Sequence, residues 1–513
     1  PYLKSLEAWL GAHSKCYRLL VFVMDPEDLA QSLRSNGSSL LFSSPVVRFA
    51  CFERGDLPSQ SFYGKIFQAR EEDRSEMTYF YALQNLNDHG QRLAKQVQGI
   101  HLVVLSALEA RGPSFVGGTN SAFMGFKNLM ENLPTFLKTP DFRNWSKLTS
   151  DCPAIILGAG PSLDEQLDFI RENQSRCLII SSDTLARSIG KLGIRPHIYV
   201  STERVDAVAQ LFDRDDEYSE TILCASSWLK PKALLAYSGT KTLFMPSSKL
   251  NSFFPFARMV IEFGHSCVGL GIRVARILNC RPIFFAGLDL SYGADGMSHS
   301  IQSPYQKKEF EKASQKLNQM YQDSILFENY EGTNVHSNYI WGIFKRQFES
   351  LTQGERGRFF NLSRRAVRLD HIEYLARDQA ESLIRNAKDE NWTKKLRTSL
   401  PYHRTSVAIQ EVIRFVERLK ALESELNGLC SKLNGNESSL VESFQSSPCF
   451  DQLLHPLFEI GLTRLRSNDP KVGEAEKKLI LESVFKLPDL FLKSQQTLEN
   501  LLEEQNRIGF SLY

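Results

Sequence analysis

Between Pro153 and Ala286, short apolar runs alternate with segments of helical length, and this rhythm constrains the fold more than any other feature. Pro153–Leu157, Cys177–Ser181, His197–Ser201, Thr221–Cys224, Thr242–Phe244 and Pro282–Ala286 read as strands. Between them Asp164–Asn173, Leu185–Leu192 and Val268–Leu278 read as helices. Continuous apolar runs suit strands buried on both faces, and their alternation with helices is the pattern of βαβ units around a parallel sheet.

The flanks differ from this centre. Toward the start, Tyr2–Leu10 reads as an amphipathic helix, Tyr17–Met24 as a buried strand, Asp25 through Leu33 as a helix, and Pro45–Cys51 and His101–Leu105 as further strands. Residues 112–144 read as a connection ending in helix. Beyond about Glu373 the strand signal stops. Ile409, Val412, Val416, Leu419, Leu426, Leu429 and Leu433 form an apolar stripe at helical spacing, broken at Asn434-Gly435-Asn436, and Val472–Phe485 and Pro488–Glu504 continue in the same style. A helical hairpin packed on itself suits this stripe better than an oligomerising coiled coil. The expected fold is therefore α/β: a central Rossmann-like parallel sheet (141–372), a partial α/β N-terminal domain (1–140) and an α-helical C-terminal domain (373–513). The chain begins at Pro1, and the first domain is expected to be incomplete at its start.

The sharpest chemical signal is Gly158-Ala159-Gly160-Pro161-Ser162-Leu163-Asp164, between a strand and a helix. Glycines there permit close backbone approach, and free N–H groups at a helix start favour an anion, so a phosphate-bearing ligand is the natural expectation. A nicotinamide dinucleotide fits less well. Its fingerprint needs a third glycine where Leu163 stands, although Asp183 falls about where an acidic residue would meet a ribose. Gly287-Leu288-Asp289-Leu290-Ser291-Tyr292 closes the last central strand, at the edge where open sheets bind ligands.

The runs PAIILGAGPSLDEQLDFI, IISSDTLARSIGKLGIRPHIYVSTER and GHSCVGLGIRVARILNCRPIFFAGLDLSY resemble, in order, the central domain of the motility-associated factor (Maf) glycosyltransferases. YRLLVFVMDPEDL also looks like part of the Maf N-terminal domain. The central block further resembles the bacterial CMP-sialic acid sialyltransferases and MptE-like pyrophosphokinases. The Maf resemblance implies a bacterial cytoplasmic enzyme that transfers a nonulosonic acid, of pseudaminic, legionaminic or sialic type, from a CMP-sugar to Ser or Thr of a protein, with flagellin the expected acceptor. The sialyltransferase resemblance implies that Gly158, Gly160, Pro161 and Ser162 contact the CMP phosphate and ribose. Asp183, Thr184 and Glu203 would meet nucleotide and sugar, together with Ser266, Gly287 and Asp289. Tyr292, and less directly Tyr305, would hydrogen-bond the departing phosphate.

Such a transfer needs phosphate stabilisation and a base for the attacking hydroxyl, and histidine suits the second task. Two candidates compete by resemblance: His299, after the Gly287–Tyr292 block, and His336, in a His-Ser segment. His265, His371, His403 and His455 read as surface-loop residues. Ser266 reads most simply as a helix N-cap, and Glu203 alternatively as a helix-starting carboxylate. Asp289 has a loop-fixing alternative. Arg364 and Arg365 depart from the glycine-rich Maf pattern and suit a carboxylate.

The balance of 61 basic against 59 acidic residues gives no electrostatic case for nucleic acid or an acidic membrane. No apolar run reaches the ~18 residues that would span a bilayer. Nine dispersed cysteines argue for reduced thiols in a cytosolic setting and against a disulfide framework or zinc site. No metal-ligand motif is present and no D-x-D lies near the glycine turn, so no metal and no cofactor beyond the donor are expected. Two other classes remain open: a pyrophosphokinase using ATP and magnesium, and a nucleotide-binding or assembly protein without catalysis. The sequence is silent on oligomeric state.

Overall fold

The structure, a computed structural model, describes residues 19–23, 47–51, 118–140, 142–148, 151–204, 207–212, 220–255, 260–264, 266–304, 324–400, 409–434, 440–465 and 470–508, with the isolated positions 30, 31 and 34. The chain divides into two compact units, 1–111 and 112–513. In the first, β1 (Leu19–Val23) and β2 (Val47–Cys51) pair in parallel, Leu19 opposite Val47. Both coincide with apolar runs of the sequence. The helix expected at Tyr2–Leu10 and the strand at His101–Leu105 lie outside the described residues, as does most of the helix at Asp25–Leu33.

The second unit is built on nine parallel strands. These are β3 (Ala154–Leu157), β4 (Leu178–Ser182), β5 (Ile198–Ser201), β6 (Ile222–Ser226), β7 (Thr240–Pro246), β8 (Val260–Ile261), β9 (Ile283–Ala286), β12 (Phe359–Asn361) and β13 (Glu373–Tyr374). The spatial order is β13-β12-β9-β3-β4-β5-β6-β7-β8. An antiparallel hairpin, β10 (Ile325–Glu328) and β11 (Asn334–Ser337), stands apart from the sheet with Leu326 opposite His336. The chain thus enters at β3, runs outward to β8, and returns to the other flank of β3 at β9.

That reversal sorts the helices by face. β3 alternates strictly: Ile155 and Leu157 join one apolar cluster, Ala154 and Ile156 the other. The first cluster takes α1 (Gly118–Lys138), α2 (Leu163–Asn173), α3 (Ala207–Leu211) and α4 (Pro231–Ala236), which accompany the outward run. The second takes α5 (Cys267–Ile277) and α6 (Tyr339–Thr352), which accompany the return. Opposite faces for opposite directions are what right-handed crossovers require. The arrangement puts the topological switch point at β3 and β9.

The segment after β4 differs from expectation. Leu185–Leu192 is not a helix but two 3-10 turns, Asp183–Leu185 and Ile189–Leu192, the second ending at Gly193 with φ +73°. Leu185 and Ile189 of these turns are fully buried in the core.

The connection expected over 112–144 is mostly α1, a helix of 21 residues. It belongs to the second unit, although the reading placed it in the first part. Asn128 and Asn132 in its middle donate to the carbonyls of Arg204, Trp228, Ser227 and Leu229, tying α1 to the ends of β5 and β6.

After α7 (Arg377–Ile384) and α8 (Trp392–Thr398), the rest of the chain is helical among the described residues: α9 (Ile409–Leu433), α10 (Leu440–Gln445), α11 (His455–Arg464), α12 (Pro470–Val484) and α13 (Leu487–Ile508). The stripe of α9 is buried from Val412 to Leu433 and lies against α13. Phe253, Phe415 and Phe491, from the sheet connection after β7, from α9 and from α13, meet at ring distances of 5.7 and 6.0 Å, so the tail shares a core with the sheet. Leu419→Ala, at a fully buried point of this stripe, is therefore expected to cost about 2–5 kcal/mol. Urea unfolding should register the loss on both tail and sheet probes; a change confined to a separate tail transition would show that the core is not shared.

Candidate active site

The carboxyl ends of β3 and β9 cross at very short range. Gly158 N–H donates to Ala286 O at 2.8 Å, and Gly160 N–H to Gly287 O at 2.9 Å. A Cβ on Gly158 would stand 2.4 Å from Gly287 O, one on Gly160 2.1 Å from Asp289 Oδ2, and one on Gly287 2.5 Å from Gly158 O. The glycines are therefore demanded by the approach of one loop to the other, a requirement the reading assigned to a ligand. Leu163, where a dinucleotide fingerprint needs glycine, is fully buried at the start of α2 and packs on Gly287.

Asp289 closes the crossing. Its Oδ2 accepts from Ser162 N–H at 3.1 Å and from Ser162 Oγ–H at 2.9 Å. The N-terminal end of α2 thus already receives a carboxylate from the chain itself. Burial pushes the Asp289 carboxyl up to about 6, against the lowering effect of the Ser162 bonds. The loop-fixing alternative for Asp289 matches this geometry.

Both histidine-bearing segments reach the same crossing. Ser300 N–H donates to Ala159 O at 2.9 Å, and Ser300 Oγ–H and Ile301 N–H bind Asp164, so the loop carrying His299 lies over the glycine turn. His299 is half-buried, with Nδ1 2.9 Å from Ser298 Oγ, and desolvation lowers its pKa to about 4. On the other side Tyr292 N–H donates to His336 O at 2.9 Å, and Ser337 Oγ–H to Leu290 O. His336 is exposed on β11, its Nδ1 2.7 Å from Ser324 Oγ. Tyr292 is buried against Trp341, ring centres 4.7 Å apart, and its hydroxyl accepts from Asn338 Nδ2–H at 3.2 Å. Burial raises its pKa, which keeps the phenol protonated. Pro161 packs beside Gly293 in the same loop.

A second group gathers at the ends of β4 and β5. Asp183 is buried; its Oδ2 accepts from Ser201 Oγ–H at 2.6 Å, and its Oδ1 lies 3.5 Å from Cys267 Sγ and 3.4 Å from Thr184 Oγ1. Burial raises its pKa. Glu203 keeps exposed surface although protein crowds around it; that crowding and then the charge of Asp183 push its carboxyl up to about 7. Its side chain makes no hydrogen bond or ion pair among the described residues. Ser266 is the N-cap of α5, its Oγ accepting from Gly269 N–H at 3.1 Å.

Sequence reasoning passed over Cys267, the first residue of α5, whose thiol pKa is raised well above its ordinary value by burial and then by Asp183. Its position just after an N-cap serine was the available signal. His197 was passed over too; it is structural, its Nδ1 accepting from Ile179 N–H at 2.9 Å and its pKa lowered to about 4 by burial. Two further readings change. Arg364 and Arg365 are already paired, with Glu331 and Glu165, so neither is an unpaired fork waiting for a ligand. His455 is not a loop residue: it opens α11 with its ring against Phe450. Tyr305, His265 and His403 lie outside the described residues. Among the described residues no group of three or more His, Cys, Asp and Glu is placed to hold a metal ion, and no helix is long and apolar enough to cross a membrane.

A protein-family model described as 6-hydroxymethylpterin diphosphokinase MptE-like matches residues 127–295. No curated protein matches the chain. Among solved structures, one described as a MAf glycosyltransferase from Magnetospirillum magneticum AMB-1 is similar at 15% identity and a TM-score of 0.49, covering 94% of this chain and 76% of that one.

The raised pKa of Asp289 has a measurable consequence. A carboxyl that binds its proton more tightly folded than unfolded makes the fold lose stability as pH rises from roughly 4 to 6. Asp289→Asn removes that loss, so its urea midpoint relative to wild type should be higher at pH 7 than at pH 4. An unchanged difference across this range would show that the carboxyl is not desolvated. Gly160→Ala, whose Cβ meets Asp289, is expected to lower the midpoint at every pH.

Proposed function

We propose that this chain is a glycosyltransferase that moves a nonulosonic acid from a CMP-sugar to a Ser or Thr hydroxyl of a protein, flagellin being the acceptor class. The observation that carries the reading is the convergence at one switch point of the glycine turn and the two histidine-bearing segments, through the bonds Ser300 N–H to Ala159 O and Tyr292 N–H to His336 O. The ordered blocks that resemble Maf proteins support the same reading. In it the protein acts in the cytoplasm, without metal or cofactor beyond the donor.

Little covalent chemistry is asked of the protein. The anomeric carbon becomes oxocarbenium-like as CMP departs, so the site must stabilise phosphate and take a proton from the attacking hydroxyl. Gly158, Gly160, Pro161 and Ser162 offer the turn on which the phosphate rests, and Tyr292, a protonated phenol, donates to it. A phosphate arriving there competes with Asp289 for Ser162, and a carboxyl titrating near 6 can take up a proton and become a donor itself. Asp183, Thr184, Glu203 and the start of α5 at Ser266 hold the remainder of the nucleotide-sugar, beside Gly287.

The base is His299 or His336. A neutral imidazole at physiological pH accepts a proton, and with His299 lowered to about 4, transfer by His299 should fall only as pH drops toward that value. Either His299→Ala or His336→Ala is expected to reduce transfer by at least about 100-fold while CMP affinity is kept. Full activity in both variants excludes a histidine base.

The match to an MptE-like family model favours a second reading, pyrophosphate transfer from ATP with magnesium. A binding protein without catalysis is the third. Titration with CMP, with ATP plus magnesium, and with NAD separates them: CMP binding that Gly160→Asp abolishes supports the transferase. Magnesium-dependent ATP binding without CMP binding overturns it. NAD is disfavoured by Leu163 filling the third-glycine position and by Asp183 being engaged with Ser201.

A further inference from the structure

We propose that Cys152 and Cys280 are an oxidisable pair, a modification site at which hydrogen peroxide converts two thiols into a reversible disulfide that ties β9 to β3. The pair lies at the amino ends of these strands, opposite the glycine turn, and the inference is independent of the reaction proposed above.

The fold brings together two cysteines that stand 128 positions apart in the sequence, Cys152 just before β3 and Cys280 just before β9, with their Sγ atoms 3.5 Å from each other. The surrounding backbone sets that spacing. Asn279 Nδ2–H donates to Asp151 Oδ1 at 3.4 Å, Arg281 N–H to Cys152 O at 2.8 Å and Ala154 N–H to Pro282 O at 2.9 Å, so hydrogen bonds flank the pair on both sides. Neighbouring strands run about 4.7–4.9 Å apart, inside the range of about 4.4–6.8 Å that disulfide-linked Cα atoms occupy. Closing the sulfurs to the ~2.05 Å of a bond then asks for a side-chain adjustment rather than a rearranged sheet. Cys177, before β4 on the other flank of β3, joins the opposite apolar cluster and is not the partner.

The two sulfurs have different roles. Cys152 is 9% exposed, whereas Cys280 is fully buried. Contact with Cys152, and then burial, raise the Cys280 thiol well above its ordinary range; the Arg358 guanidinium, whose Nε–H donates to Cys280 O at 3.1 Å, acts the other way. Cys152 is therefore the sulfur that meets the oxidant, and Cys280 the partner that keeps its proton until the second step. First, the Cys152 thiolate attacks a peroxide oxygen and the O–O bond breaks, giving a sulfenic acid and a hydroxide that takes up the proton Cys152 lost. Then the Cys280 sulfur attacks the sulfenic sulfur, the S–O bond breaks, and the Cys280 proton leaves with that hydroxide as water. Two thiols and one peroxide become one disulfide and two waters, two electrons passing from sulfur to peroxide.

The bond locks the return of the chain. It closes a loop that holds β3 through β8 and α5, and constraining so long a loop in the unfolded chain stabilises the fold. It does so at the strand pair whose far ends make the glycine crossing. In a reducing compartment such a bond is transient, as a redox-sensing pair requires.

The test treats the reduced full chain with hydrogen peroxide, alkylates it in urea and maps the peptides by mass spectrometry without reduction. The expected result is a peptide pair linked through Cys152 and Cys280, return of both thiols with dithiothreitol, and a higher urea midpoint for the linked form than for the reduced one. In Cys280→Ala, dimedone should trap a sulfenic acid on Cys152, and peroxide should no longer raise the midpoint. The wild-type map needs no variant, so a variant that fails to fold leaves the decision to it. Both thiols still alkylated after peroxide, Cys152 carried on to a sulfinic acid beside an intact Cys280 thiol, or Cys152 linked to Cys177 each overturn the pair. A Cys152–Cys280 link that leaves the midpoint unmoved overturns the lock.

Discussion

The crossing of the β3 and β9 loops at Gly158, Gly160 and Gly287 is the constraint on which the rest of the site depends. Three glycines are needed there because each would place a Cβ within about 2.5 Å of the opposing loop. Given that approach, Asp289 is delivered to the N-terminal end of α2 and held by two bonds from Ser162. The same loop continues to Tyr292, which carries β11 with it through His336 O. A phosphate-binding appearance in the sequence therefore has first a structural cause: the turn is shaped to meet another segment of its own chain. Any ligand at this turn works with surfaces that the internal crossing has left over.

The topology explains why the crossing lies where it does. The chain leaves β3 in one direction and returns on its other flank at β9, so the loops that follow these two neighbouring strands leave side by side and meet. α2 packs on one face of the sheet beside them and α5 on the other. α1 fastens the loops nearby. Asn128 and Asn132 hold the loops after β5 and β6, and Arg204, next to Glu203, lies over the Trp228 ring at 4.5 Å while bonding to Ser121 of α1. The wall carrying Glu203 is thus braced from the helical side.

Much of this was legible in the sequence because it was local. Apolar runs such as Ile155–Leu157 mark strands irrespective of what surrounds them, and the stripe of α9 announces one buried face. Ser266 reads as a cap because capping needs only the next three residues. What was misread depended on distant partners. Leu185–Leu192 has helical composition but forms two 3-10 turns whose Leu185 and Ile189 are buried in the sheet's core. Arg364 and Arg365 have the chemistry for a carboxylate, and the carboxylates they found, Glu331 and Glu165, come from other segments. Cys267 gains meaning only from Asp183, which lies 84 residues earlier.

By itself, then, the sequence determined the parallel α/β sheet, its helical tail and the glycine turn, since periodicity and turn chemistry act over a few residues. Tertiary structure alone decided the strand order, the pairing of Asp289 with Ser162, the approach of the segments carrying His299 and His336 to the β3–β9 crossing, and the raised pKa of Glu203. These depend on desolvation and on contacts between segments far apart in the chain, and no spacing of residues encodes them.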